Sequence, residues 1–227
     1  MPADRKSLLA AATMTATAGY VDAAGFLATG GFFLSFMSGN STRAGIGLVE
    51  SWAAASTALT LIGAFLTGVI AATLLGRIGR GRWIARHRAS LLLLLIAFCL
   101  AVSLLLLEHD WRIAGMFLIA FAMGAENLVF EKDGEVRFGV TYMTGTLVKI
   151  GQRIGWALSG GPRWLWLRYA ALWSAMLLGG ACGALAFLQW HYAALWGPVG
   201  VLIVLAAVLR GHDAAPSDAA QAVGAAA

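Results

Sequence analysis

The sequence predicts an all-α, polytopic membrane protein of about six transmembrane helices, built as two inverted three-helix repeats with broken or re-entrant motif segments. Three observations carry this. Of 227 residues, 60% are hydrophobic and only 12% charged, and the mean hydropathy is +0.79, which leaves too few charges to cover a water-facing surface. The apolar content collects into runs long enough for helices crossing a core about 30 Å thick. Finally, one ten-residue signature occurs twice, as Phe36-Met37-Ser38-Gly39-Asn40-Ser41-Thr42-Arg43-Ala44-Gly45 and as Tyr142-Met143-Thr144-Gly145-Thr146-Leu147-Val148-Lys149-Ile150-Gly151.

The spanning runs lie near 8–30, 52–76, 89–107, 112–131, 164–188 and 194–210. The N-terminus imitates a signal peptide, with Arg5-Lys6, an apolar stretch and Ala16-Thr17-Ala18. The repeat argues for a retained helix instead, because the matching residues before Gly124 read as a membrane helix. The stretches 31–51 and 138–158 hold the signatures; they are too polar and Gly-rich to face lipid, and short half-helices or re-entrant segments enclosed by protein suit them. Trp83, Trp111, Trp164, Trp166, Trp190 and Trp196 fall near span ends as interfacial anchors. The expected organisation is one integral membrane domain over 1–210, with repeat one at 8–107 and repeat two at 112–210, followed by a disordered cytoplasmic tail at 211–227.

Arg77, Arg80, Arg82, Arg86 and Arg88 crowd the link between the second and third runs, which makes that link cytoplasmic. Arg5, Lys6, Lys132, Arg137, Arg153, Arg163 and Arg210 agree, so both termini are expected in the cytoplasm and the loop 108–111 outside. An odd number of spans per half sets the second copy in the opposite sense to the first, with the pseudo-two-fold axis in the membrane plane. If both signature segments crossed fully there would be eight spans and a different sidedness; the charge bias favours six.

Each signature follows an apolar run containing a Gly-x-x-polar step, Gly19 to Asp22 and Gly124 to Asn127. An acid inside a membrane helix is costly unless paired, neutral or hydrated, which makes Asp22 and Glu126 the candidates for proton or ion coupling. Packing between helices is the structural reading of Asp22, and a partner for Lys132 or Arg137 that of Glu126. Ser38, Gly39, Asn40, Arg43, Asn127, Thr144, Gly145, Thr146 and Lys149 are the candidate substrate-binding residues. Glycine permits close backbone approach, the hydroxyl and amide side chains can cap a half-helix or bind a ligand, and a half-helix N-terminus with a nearby cation attracts a small polar or anionic solute. The competing reading is that small residues merely let helices pack.

The net charge of +5 reflects topology signals between apolar runs, and no nucleic-acid partner is expected. Cys99 and Cys182 read as buried, inert thiols. No metal-spaced His/Cys cluster, phosphate-binding Gly loop or nucleophile elbow occurs, so neither a metal, a cofactor nor an enzyme is expected. His87, His109, His191 and His212 lie at loops or span ends, leaving Ser38 and Thr144 without a base for hydrolysis.

Gly19-Tyr20-Val21-Asp22, the Ser38-Gly39-Asn40 step and the Thr144-Gly145-Thr146 step together resemble the YoaK family of bacterial inner-membrane proteins, over roughly 8–210. The family pattern has Thr where this chain has Ser38, and a Gln-Asn pair where this chain has Glu126-Asn127, which speaks against Glu126 as a proton carrier general to the family. The resemblance implies a six-helix protein of the inner membrane with no assigned activity. From the residues themselves, the expected function is a small-solute secondary transporter or permease with its site where the two signatures meet. A non-transporting scaffold and a passive channel are the alternatives. Lipid is the certain partner, and a homodimer is an arrangement many small inverted-repeat proteins adopt.

Overall fold

The computed structural model describes residues 5–78, 82–129, 131–132, 135–136 and 143–213. Eight α-helices follow in order: α1 (Arg5–Thr29), α2 (Met37–Glu50), α3 (Trp52–Ile78), α4 (Arg82–Glu108), α5 (Arg112–Glu126), α6 (Met143–Leu158), α7 (Trp166–Trp190) and α8 (Trp196–Asp213). A 3-10 turn, His191–Leu195, joins the last two, and two-residue antiparallel strands, β1 (Glu131–Lys132) and β2 (Glu135–Val136), lie between α5 and α6. The predominantly helical class expected from composition is what the chain adopts. The side chains of Arg77, Arg80, Arg82 and Arg86 in the second link and of Lys132 and Arg137 between α5 and α6 lie outside the described ones, as does the tail beyond Asp213.

Among the described residues three stretches, Trp52–Gly76, His87–Glu108 and Trp166–Arg210, are long and apolar enough to cross a membrane, the last holding both α7 and α8. α3 turns Leu59, Leu66, Ile70 and Leu74 outward, and α7 does so with Leu177, Leu178, Leu185 and Leu188. Outward leucine rows of this extent suit lipid, not water. α1 and α5 are enclosed along part of their length instead: Met14, Ala18, Val21 and Asp22 of α1 are buried, as is all of Ala122 to Glu126 in α5. Enclosure lets these two helices carry acids that lipid-facing helices exclude.

The signatures sit at matching places. α2 begins at Met37 and α6 at Met143, the same residue of each copy. With 14 and 16 residues, they reach about 21 and 24 Å at about 1.5 Å per residue, short of a bilayer core. The fourth apolar run is shorter than its sequence suggests, because α5 stops at Glu126 and the chain turns over 127–129. The Asn127 amide folds back to donate to the Met123 carbonyl at 3.0 Å, ending the ladder that the apolar sequence through Phe130 would have continued.

Packing exchanges helices between the two halves: α1 lies against α7 and α3 against α5. Matched glycines make both crossings. Gly19 abuts the Met176 carbonyl and Gly179 that of Ala16; Gly124 abuts the Phe65 carbonyl and Gly68 that of Phe121. Ala16 and Gly19 are spaced as Phe121 and Gly124 are, and Met176 and Gly179 as Phe65 and Gly68 are. The Gly-x-x-polar steps are therefore packing devices at their glycine end, where a Cβ would strike backbone and not a movable side chain. Gly124→Val is expected to cost about 1–3 kcal/mol by overpacking, read as a lower thermal midpoint in detergent. Gly155→Ala, in α6 with open space around it, is expected to gain about 0.5–1 kcal/mol.

Candidate functional site

The non-helical segment between α1 and α2 is the irregular backbone nearest the first signature, and its polar groups need partners inside the protein. Asp22, two turns before the end of α1, supplies them. Its Oδ1 accepts from the Leu34 N–H at 2.8 Å and the Ser35 N–H at 2.6 Å, and its Oδ2 accepts from the Ser35 hydroxyl at 2.6 Å. Asn40, in the first turn of α2, clamps the same segment: its carbonyl oxygen accepts from the Phe33 N–H at 3.0 Å and its amide donates to the Phe33 oxygen at 2.7 Å. Gly30 and Gly31, with φ of 69° and 119°, make the turn that brings the segment back. Asn40→Ala is expected to cost about 1–3 kcal/mol, since it strands half-buried backbone groups of Phe33, and to raise amide exchange across residues 31–36.

The rest of the first step serves the same region. The Tyr20 hydroxyl donates to the Ala194 carbonyl at 2.8 Å, tying α1 to the 3-10 turn, and Val21 is fully enclosed. Glu126 differs from Asp22 in kind. It is 1% exposed, and among the described residues neither carboxyl oxygen has a hydrogen-bond partner, while Asp22 lies within electrostatic range of it. The two acids singled out from sequence thus lie within electrostatic range of each other, one held by three donors and one with none among the described residues.

A cavity of about 660 Å³ opens between α1, α6 and α7. Asp22 and Thr144 are its polar lining residues, and Phe36 and Met143 bring to it the starts of both signatures. Phe26, Phe33 and Phe36 form a connected aromatic wall, with ring centroids 4.9 and 5.3 Å apart. Sequence reading missed Trp173 and Met176 of α7 on the opposite wall; nothing in an apolar helix marks which residues face a cavity.

The remaining candidates spread around this centre. Asn40 and Thr146, at matching positions, are buried, and Asn127 lies beside Glu126 at the end of α5. Ser38 and Gly145 are exposed, and Gly39 packs near Phe33 and Phe36. The cations sit over rings: the Arg43 guanidinium lies 4.5 Å from the Phe32 centroid and the Lys149 ammonium 5.7 Å from that of Tyr169. Neither lines the cavity. Among the described residues, no three His, Cys, Asp or Glu side chains are grouped to hold a metal ion.

Long helices that turn leucines outward around enclosed acids define a multi-pass α-helical membrane protein. Residues 10–208 match the family model described as "Protein of unknown function (DUF1275)". The chain is 33% identical over 201 residues, 88% of its length and 84% of the relative's, to the UPF0700 transmembrane protein RA0705 of Rhizobium meliloti strain 1021. No solved structure matches. The chain belongs to the DUF1275 family, the YoaK family that its motifs resemble.

Proposed function

We propose that this chain is a small-solute secondary transporter of the bacterial inner membrane, with both termini cytoplasmic, in which two inverted three-span repeats enclose a substrate cavity and a coupling acid. The observation that carries the reading is the conjunction of that cavity with an orphaned buried carboxyl. The volume meets the starts of both signatures, and Glu126 lies within electrostatic range of Asp22 without a hydrogen-bond partner among the described residues. The reciprocal glycine crossings and the short signature helices support an internal two-fold with three full spans per half.

The two acids divide the work in this reading. Asp22 is engaged by three donors and holds the broken segment in place. Glu126 is the group free to exchange a proton, and its change of charge beside Asp22 biases the loop that Asp22 anchors. The solute occupies the cavity, near Thr144 and the aromatic wall.

The scaffold reading draws on Gly19, Gly68, Gly124 and Gly179, each of which lies against a backbone carbonyl of the facing helix. Within the signatures Gly39 packs against the Phe33 and Phe36 rings, whereas Gly45, Gly145 and Gly151 have open space around them, which a purely packing role does not call for. The test is solute movement in proteoliposomes under an imposed pH gradient. Gradient-driven flux is expected; conductance without coupling would make the protein a channel, and no flux of any solute would leave the scaffold.

A further inference from the structure

We infer that the cavity between α1, α6 and α7 takes an apolar organic cation, a molecule whose aromatic or hydrocarbon body fills the ring-lined volume while its positive charge lies beside Asp22. As the identity of a transported solute, this rests on the permease reading above; as a binding site it stands on geometry. At about 660 Å³, the space falls within the roughly 300–1,000 Å³ of pockets that enclose drug-sized organic molecules, and far exceeds what an inorganic ion needs.

The walls select chemistry. Phe26, Phe33 and Phe36 hold one another in tilted and edge-to-face contacts, so ring faces are set before a ligand arrives, and Trp173 stands on the α7 side. Aromatic faces attract cations through their quadrupole, most strongly where water is excluded. Asp22 is the charged residue of the lining. Its three donors are two amides and a hydroxyl, none of which carries a charge to cancel its own. Glu126 adds a second acid within range of the first.

The alternatives fit worse. An anion would meet the Asp22 carboxyl while Arg43 and Lys149 remain over Phe32 and Tyr169, outside the volume. A sugar or other polyol would leave most of its hydroxyls against Phe, Met and Leu side chains, at a cost for each unpaired group. Phe26, Leu27 and Leu177 are exposed and also line the cavity, so its rim is apolar and a molecule dissolved in the leaflet reaches it without crossing a polar barrier.

The experiment is equilibrium dialysis of the full-length protein in detergent against tetraphenylphosphonium and its near-isosteric anion, tetraphenylborate. The site predicts saturable binding of the cation, roughly tenfold or more tighter than the anion. Ala181→Trp, which sets an indole into the cavity, is expected to weaken cation binding about tenfold with the thermal midpoint retained. Equal or tighter binding of tetraphenylborate, or cation binding indifferent to Ala181→Trp, overturns the assignment. Should Ala181→Trp fail to fold, the cation-to-anion comparison on the unmodified protein decides alone. Gradient-driven flux of some other solute without cation binding would remove this ligand class and leave the permease; Trp-sensitive cation binding without any flux would do the reverse.

Discussion

Asp22→Ala is expected to cost about 3–5 kcal/mol of stability and most of the folded yield, the largest loss of any single substitution considered. The truncation leaves the Leu34 and Ser35 amides and the Ser35 hydroxyl without their acceptor, in a region where Leu34 and Ser35 are each 1% exposed. Each stranded donor costs about 1–3 kcal/mol, and lipid offers no water to repair it. Asp22→Asn keeps one carbonyl for the two amides, while the Ser35 hydroxyl can rotate to accept from the new NH2 group. Its cost is expected to be about 1–2 kcal/mol. Unfolding followed by heating in detergent, with the monodisperse fraction after purification, reads both. An alanine variant as stable as the parent would mean that the segment before α2 holds itself without the carboxylate.

This expectation changes how transport data on Asp22 are to be interpreted. A variant that fails to move solute because its broken segment has come loose says nothing about protons. The informative comparison is between Asp22→Asn and a substitution at Glu126, where no hydrogen bond is broken. Amide exchange over residues 31–36 separates the cases, rising in the first and staying put in the second.

What was legible in advance followed from cost. An acid inside an apolar run is conspicuous because lipid penalises it, so Asp22 and Glu126 stood out, and a copied Gly-punctuated unit placed the starts of α2 and α6. The anchoring of Asp22 was not legible, because two of its three donors are backbone amides, which every residue possesses. Nor was the early end of α5: an apolar sequence runs on past Glu126, and only the local choice of the Asn127 amide to bond Met123 stops the helix. The two cations illustrate a third limit. They lie a turn beyond the Gly steps, near in sequence to the cavity, but helical phase decides the face. Met143, Thr144 and Leu147 look into the space, while Lys149, five residues past Thr144, is carried round to Tyr169. Among short helices with small residues on several faces, the sequence pattern alone does not show which face the fold will use.

Glu126→Leu is expected to move stability and function in opposite directions, raising the first by about 1–3 kcal/mol and abolishing proton-driven flux. At 1% exposure, the carboxyl makes no hydrogen bond among the described residues, and Asp22, within electrostatic range, adds a like charge whenever both acids ionise. A leucine fills similar space without a polar atom to desolvate. A group kept at such expense is characteristic of a site where stability yields to activity, and Glu126→Gln, equally unpartnered but unable to take up or release a proton, isolates the titration from the shape. The glutamine variant is expected to hold its thermal midpoint near that of the parent and to lose gradient-driven accumulation, with solute binding retained. Destabilisation by leucine would reveal a partner for the carboxyl, and accumulation surviving in both variants would move proton coupling away from α5 altogether.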